Sequence, residues 1–362
     1  MVGMISMSIL ILGAGNVGEA IAFDLSKDHE VVLGDADPER LKELDEKYGT
    51  VNLDATSEAD VKKEVREHDL IICALPGKFG YDAVRWVIET GKDIVDVSFM
   101  PEDPFELDDL AKENNVSAIV DAGFGPGMSN LFMGYITDHF DKITDAMIKI
   151  GGLPTDPVPP LFYKVTWSPD DLIEEYTRDA RMKRDGKIVN LEPLEAINTV
   201  RIKEFEFEEF YSDGLRTLLD TIPADDLEET TLRWPGHLEK MKVLKELGFF
   251  KEKNRQHTLN MVAPYMDFES DDFCIMTVEC KGVKDGEYGS VEFYFYDVAD
   301  EKFSSMSRST GFATASFARL FMDKDIDTGI IPPEFIGTNR DFFDYIIERM
   351  KRYGVEINRT LK

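Results

Sequence analysis

Apolar positions come in short solid runs through the first third of the chain and in alternating runs beyond it. Ser8-Ile9-Leu10-Ile11-Leu12, Glu30-Val31-Val32-Leu33-Gly34, Asp69 to Leu75, Asp93 to Val97 and Val116 to Val120 read as strands buried on both faces. Between them lie helical patterns, with Ala20, Ile21, Phe23 and Leu25 on one stripe and Ala83, Val84, Val87 and Ile88 on another. Solid strands alternating with amphipathic helices predict an open, doubly wound parallel α/β sheet. Ligands of such a sheet lie beyond the carboxyl ends of its strands, here Leu75-Pro76, Ser98-Phe99 and Phe124-Gly125-Pro126.

From about residue 145 the pattern changes. Ala146 to Ile150, Phe162 to Trp167, Glu204-Phe205-Glu206-Phe207-Glu208, Phe273 to Cys280 and Ser290 to Val298 predict a second, α+β region on a mixed or antiparallel sheet. Ser168-Pro169-Asp170-Asp171 carries the signals of a helix start. A helix over His237 to Leu247 stops at Gly248, and two more cover Thr310 to Met322 and Asp341 to Tyr353.

The first strand runs directly into Gly13-Ala14-Gly15-Asn16-Val17-Gly18. In a strand–turn–helix setting this G-x-G-x-x-G is a phosphate loop: Gly13 makes the turn, Gly15 admits a pyrophosphate and Gly18 packs helix on strand. Asn16 and Val17 would offer helix-start N–H groups. The second strand ends at Asp35, where a carboxylate accepts a ribose 2′-hydroxyl and repels a 2′-phosphate. No Arg stands in Asp35-Ala36-Asp37-Pro38, so NAD is expected over NADP. These features predict a Rossmann domain.

Composition narrows the partners. The chain has 362 residues, 43% hydrophobic and 31% charged, with a formal net charge of -30. That charge disfavours nucleic acid and anionic membranes. Three cysteines without a C-x-x-C, no basic signal region and no apolar run of spanning length give the expectation of a cytoplasmic protein with no metal site.

The ordered motifs along the chain resemble the saccharopine reductase and lysine dehydrogenase family. They are the glycine loop, Asp96-Val97-Ser98-Phe99, Gly123 to Asn130, Gly151-Gly152-Leu153-Pro154, Tyr163 to Ser168, Leu232 to His237, Ser309-Thr310-Gly311-Phe312 and Gly329 to Glu334. Saccharopine reductases carry acids at two positions of the proline-glycine loop where this chain has Gly125 and Ser129. Lacking both, the chain is more similar to the lysine 6-dehydrogenase branch. That branch oxidises lysine's ε-amine with NAD, releases ammonia and yields 2-aminoadipate semialdehyde, which cyclises to piperideine-6-carboxylate. A saccharopine or carboxynorspermidine reductase, and a non-catalytic NAD-binding sensor, stay open as alternatives.

The resemblance further implies a homodimer, a cofactor domain over 1–123, a substrate domain over 124–306 and a C-terminal segment, 307–362, that returns to the cofactor domain. It places Ser98, Phe99 and Gly125 beside the substrate, and Leu75, Pro76, Ser98 and Trp167 beside the cofactor. Arg233 matches a substrate-contacting arginine and is expected to bind the α-carboxylate. The chemistry needs a group that removes the ammonium proton. His237 is the best-placed imidazole for it, Tyr163 could orient the amine, and Asp96 or Asp121 could hold the ammonium or act as base.

Overall fold

The computed structural model describes residues 6–165 and 169–362. The chain alternates strand and helix through β1 (Ser8–Leu12), α1 (Asn16–Leu25), β2 (Glu30–Asp35), α2 (Pro38–Leu44), β3 (Gly49–Asn52) and α3 (Glu58–Val65). It continues through β4 (Leu70–Cys73), α4 (Gly77–Glu89), β5 (Asp93–Asp96), α5 (Asp108–Glu113), β6 (Ser117–Ile119) and α6 (Met128–Thr137). A second run follows: β7 (Lys142–Pro154), α7 (Pro169–Thr177), β8 (Ala180–Arg184), β9 (Lys187–Leu191), β10 (Asn198–Ile202), β11 (Phe205–Tyr211), α8 (Leu218–Thr221) and β12 (Ala224–Arg233). Next come α9 (His237–Glu246), α10 (Glu252–Val262), β13 (Asp272–Lys284), β14 (Glu287–Val298) and α11 (Ser305–Asp323). The chain ends with β15 (Gly329–Ile331), α12 (Pro333–Thr338), α13 (Arg340–Arg352) and β16 (Glu356–Leu361).

Two compact units result. One holds the chain to Leu131 with Ser307–Tyr353; the other holds Phe132–Met306 with Gly354–Lys362. The first division falls after Leu131, inside α6. The last residues leave the expected 307–362 segment: Gly354, at φ +87°, turns the chain out of α13, and β16 pairs antiparallel with β14.

The first unit is a seven-stranded sheet ordered β15-β6-β5-β4-β1-β2-β3, with every neighbouring pair parallel. Strand order reverses at β1, whose neighbours are β2 and β4, and that switch point is where such sheets bind ligands. β1 and β4 are buried on both faces, which explains their unbroken apolar runs.

The C-terminal helices are fastened to this unit by a buried ion network. Arg319 on α11 donates to the Asp24 carboxylate at 2.6 Å, to the Asp24 carbonyl at 2.8 Å and to Asp28 at 2.8 Å. Arg349 on α13 reaches Asp24 at 3.4 Å. Burial raises the Asp24 pKa, but the Tyr353 hydroxyl and the two guanidinium groups outweigh it and hold the carboxyl below its usual range. Gly311 brings α11 against α1, where a Cβ would lie 2.6 Å from Ala20 Cβ.

The second unit is built on a nine-stranded mixed sheet, β10-β11-β12-β7-β13-β14-β16, with the β8–β9 hairpin branching from β12. Only the β12–β7 pair is parallel; the others are antiparallel. Alternation along β12 sends Leu232 into an aromatic face with Phe207 and Phe273. Thr231 and Arg233 therefore point to the opposite face. The strand expected over Phe162 to Trp167 is not formed at Phe162–Val165, where Phe162 sits at φ +58° two residues after Pro160.

Arg319→Ala should destabilise the first unit by about 3 kcal/mol, because it removes the main partner of a buried carboxylate. Urea denaturation followed by circular dichroism would measure it, and a loss below about 1 kcal/mol would show that Arg349 suffices.

Candidate active site

The glycine loop closes on itself by contact. A Cβ on Gly13, whose φ is +104°, would lie 2.5 Å from the Ala74 carbonyl oxygen, and one on Gly18 would lie 2.1 Å from the Gly13 carbonyl oxygen. A Cβ on Gly15 would meet no protein atom within 4 Å. The protein itself thus makes no demand for glycine at 15; the demand fits a phosphate approaching the backbone. Gly15 also caps α1 without a side-chain bond, leaving the N–H groups near Asn16 and Val17 pointing out of the helix start. These residues fit a dinucleotide pyrophosphate.

Asp35 is tied to the same loop. Its carboxylate accepts from Ala14 N–H at 2.7 Å and from Asp37 N–H at 3.0 Å. Arg40, which sequence reasoning passed over, donates from Nε to the Ala14 carbonyl at 2.8 Å and pairs with Glu19 at 2.7 Å and Glu43 at 3.2 Å. It lies on α2, whose start is capped by the Asp37 carboxylate.

At the carboxyl ends of β4 and β5, Asp96 is fully buried. Its Oδ1 accepts from the Ser98 hydroxyl at 2.7 Å and Ser98 N–H at 3.2 Å, while Oδ2 has no hydrogen-bond partner. Burial pushes this carboxyl up to about 7, and the Asp121 carboxylate adds to the rise. Asp121 is buried with φ +53°, and the next residue, Ala122, donates its N–H to the Asp96 carbonyl at 2.8 Å. Ser98 is buried, with its hydroxyl given to Asp96. Leu75 and Phe99 are half-buried, and Pro76 and Gly125 are exposed. Ser129 donates to Asn130 at 3.0 Å, and Asn130 donates to the buried Glu334 at 3.1 Å. Trp167 lies outside the described residues.

In the second unit the structure brings Tyr163, Arg233 and His237 together, and adds Glu175 and Tyr176. Arg233 is 2% exposed. It donates to Glu175 at 2.6 Å, to the Leu232 carbonyl at 2.9 Å and to the Tyr176 hydroxyl at 3.1 Å. Its guanidinium also lies 4.4 Å from the centre of the Tyr163 ring. Burial alone would lower its pKa, but Tyr163, Tyr176 and Glu175 raise it. Three of its five N–H donors are thus committed inside the protein.

His237 belongs to the same hydrogen-bonded group. Its Nδ1 lies 2.6 Å from the Leu161 carbonyl, which can only accept, so Nδ1 carries the proton. Nε2 then accepts from the Tyr176 hydroxyl at 2.9 Å, and Arg233 donates to the same hydroxyl. Burial, followed by the Arg233 charge, pushes the imidazole down to about 3. The neutral imidazole is therefore the favoured form.

On the same face of β12 stands Glu229, which the sequence did not single out. Ser212 donates to its Oε1 at 3.1 Å, and Oε2 is buried with no hydrogen-bond partner. Burial pushes the carboxyl up to about 8, with Asp213 and Glu175 adding to the rise. Among the described residues no His, Cys, Asp and Glu cluster is arranged to hold a metal ion. No helix among them is long and apolar enough to cross a membrane.

A parallel sheet with a glycine loop at its switch point, paired with a mixed-sheet unit, defines a two-unit dinucleotide-binding α/β protein. The saccharopine dehydrogenase NADP binding domain matches residues 9–119, and the saccharopine dehydrogenase C-terminal domain matches residues 123–355. The chain belongs to the saccharopine dehydrogenase family. It is 26% identical over 270 residues to the NADP(+), L-glutamate-forming saccharopine dehydrogenase of Pyricularia oryzae, covering 70% of this chain and 60% of that one. It is 23% identical over 333 residues to carboxyaminopropylagmatine dehydrogenase of Synechocystis, covering 81% of each. The chain spans about 60% of the length of the fungal saccharopine dehydrogenases it matches. Apo saccharopine dehydrogenase from Saccharomyces cerevisiae has the same fold, with a TM-score of 0.84 at 19% identity over 99% of this chain and 100% of that one. Homospermidine synthase from Legionella pneumophila, solved with NAD, gives a TM-score of 0.67 at 12% identity over 98% of this chain and 91% of that one.

Glu229 yields a pH prediction. Its pKa in the folded state, about 8, exceeds the usual 4.5, so the folded protein keeps a proton that the unfolded chain releases. Its contribution to stability therefore falls as pH rises from about 4.5 to about 8 and is flat above. Glu229→Gln should gain on the wild type by about 4 °C in Tm between pH 5 and pH 8.5. Scanning calorimetry at the two pH values would check it; parallel pH profiles would refute a protonated Glu229.

Proposed function

We propose that this chain is an NAD-dependent dehydrogenase that oxidises the ε-amine of L-lysine, releasing ammonia and 2-aminoadipate semialdehyde. The cofactor choice rests on Asp35, bonded to the loop that would carry the pyrophosphate. A 2′-phosphate there would face an anion, although the matching family domain is described as NADP binding and the fungal relatives are NADP(+) enzymes. The choice of lysine rests on the proline-glycine loop. Gly125 is an exposed residue without a side chain and Ser129 is spent on Asn130, so neither position supplies the carboxylate of a saccharopine-type site.

Gly13, Gly15, Gly18 and the start of α1 hold the pyrophosphate in this reading, and Asp35 holds the adenosine ribose. The bound dinucleotide supplies the hydride acceptor. A lysine ammonium, with a pKa of about 10.4 in water, must lose a proton before its carbon can release hydride. Asp96 is the group assigned to take it. Its Oδ2 has no hydrogen-bond partner, and a carboxyl pushed up to about 7 is a far better proton acceptor than an ordinary aspartate. Water then adds to the iminium carbon and ammonia leaves. Ser98 fixes the Asp96 carboxylate, and Asp121 sustains its raised basicity. In the second unit, Arg233, Tyr176 and His237 act as a rigid hydrogen-bonded frame, with Tyr163 packed against it.

A second reading is favoured by the relatives' names. Carboxyaminopropylagmatine dehydrogenase matches over 81% of both chains, and homospermidine synthase shares the fold. These names suggest an enzyme that joins an amine to a carbonyl compound.

Purified protein with lysine and NAD at pH 9–10 should form NADH and ammonia in equal amounts. No signal there, but NADH consumption with an aldehyde plus a diamine or glutamate, would favour the second reading. Asp35→Asn keeps an acceptor for Ala14 N–H but removes the charge. It should shift the NADP-to-NAD ratio of kcat/KM towards NADP by about tenfold, and an unchanged ratio would refute the role of Asp35.

A further inference from the structure

Five charged side chains surround the residue that joins the first two glycines of the phosphate loop. Asp35 takes the Ala14 N–H and Arg40 takes the Ala14 carbonyl, so one carboxylate and one guanidinium share a single residue of the loop. Arg40 is the cation nearest the place where the ribose would be read. It is restrained on three sides, by the Ala14 carbonyl, by Glu19 at 2.7 Å and by Glu43 at 3.2 Å. The two carboxylates differ in strength: the Glu19 side chain is 15% exposed and the Glu43 side chain 69% exposed, so solvent screens the second far more. Lys47 reaches Glu19 from its other side at 3.3 Å. Arg40 and Lys47 hold the Glu19 carboxyl below its usual range despite its partial burial.

We propose that Glu19 is a specificity-determining residue: its carboxylate neutralises and restrains Arg40, keeping that guanidinium from serving a ribose 2′-phosphate. Resting on the dinucleotide reading above, the inference moves the choice between NAD and NADP from Asp35 alone to a three-residue set. Asp35 repels the phosphate, Arg40 is the latent phosphate ligand, and Glu19 keeps it latent. Neutralising Glu19 leaves Arg40 with an uncompensated positive charge and only a weaker, neutral acceptor to hold it, so a phosphate can draw it off by charge-assisted bonds.

Binding of NADH and NADPH, followed by nicotinamide fluorescence, tests this without turnover. Glu19→Gln, which keeps the side chain's shape and removes its charge, should raise the NADPH-to-NADH affinity ratio by about tenfold, the scale of one charge-assisted hydrogen bond. Glu19→Gln added to Arg40→Ala should give no gain over Arg40→Ala alone, so the cycle reads the Glu19–Arg40 coupling apart from any effect of Arg40 on the loop. Thermal melts of each variant show that it is folded before its ratio is read. A ratio unchanged in Glu19→Gln, or a gain that persists without Arg40, would overturn the inference while leaving the dinucleotide reading intact. Wild-type protein that binds neither dinucleotide would overturn both.

Discussion

The first unit depends on the Ala14 residue being held at both backbone polar groups. Its N–H goes to Asp35 and its carbonyl to Arg40, so β2 and α2 fix the loop that leaves β1. A glycine-rich turn is entropically costly to order, and here the ordering is supplied by side chains already anchored elsewhere. Gly13 and Gly18 then leave no room for another conformation, since each would press a Cβ onto a carbonyl oxygen. The same unit explains the C-terminal motifs of the chain. Gly311 seats α11 on α1, the Thr314 hydroxyl donates to the Ala122 carbonyl at 3.0 Å, and Glu334 anchors Asn130. Segments about three hundred residues beyond the glycine loop thus pack into the same unit.

The second unit follows a different logic. β12 alternates between an aromatic face and a polar one, and the polar face is buried as well. A buried guanidinium is tolerable only when its donors and charge are met, and Glu175, Tyr176, the Leu232 carbonyl and the Tyr163 ring meet them. The hydrogen bonds run in one direction, from Arg233 to Tyr176 to His237 to the Leu161 carbonyl. A one-way chain fixes the hydroxyl and the tautomer within it.

Local features were the legible ones. The glycine loop, Asp35 at the end of β2 and the parallel sheet are written in runs of adjacent residues, and the structure has them where the spacing implies. Asp96 was legible as a strand-end acid, but its raised pKa was not, because burial and the neighbouring Asp121 come from tertiary packing. Arg40 escaped notice because its partner carbonyl is 26 residues away and its helix had no separate signal. Tyr176 and His237 are 61 residues apart, so nothing in the sequence told that the imidazole would be sealed and neutral. Glu229 hid among many acids in a chain of net charge -30, where an acidic residue reads by default as surface. Alternation puts Glu229, Thr231 and Arg233 on one face, but a polar face of that composition is also what a solvated strand presents.

Asp96 and Glu229 present the same physical arrangement in the two units. In each, one carboxyl oxygen is met by a serine hydroxyl and the other is sealed without a hydrogen-bond partner. Leaving a buried polar atom unmatched costs about 1–3 kcal/mol, so neither residue is explained by stability. For Asp96 the arrangement coincides with the carboxyl edge of a parallel sheet at its ligand-binding end, where the proposed amine oxidation would need a proton acceptor stronger than an ordinary carboxylate. Glu229 sits within β12, flanked by the Ser212 hydroxyl and the charges of Asp213 and Glu175. Its neutral form can donate a hydrogen bond, so its burial favours keeping the proton over keeping the charge. In both, burial favours the protonated carboxyl over the charged one.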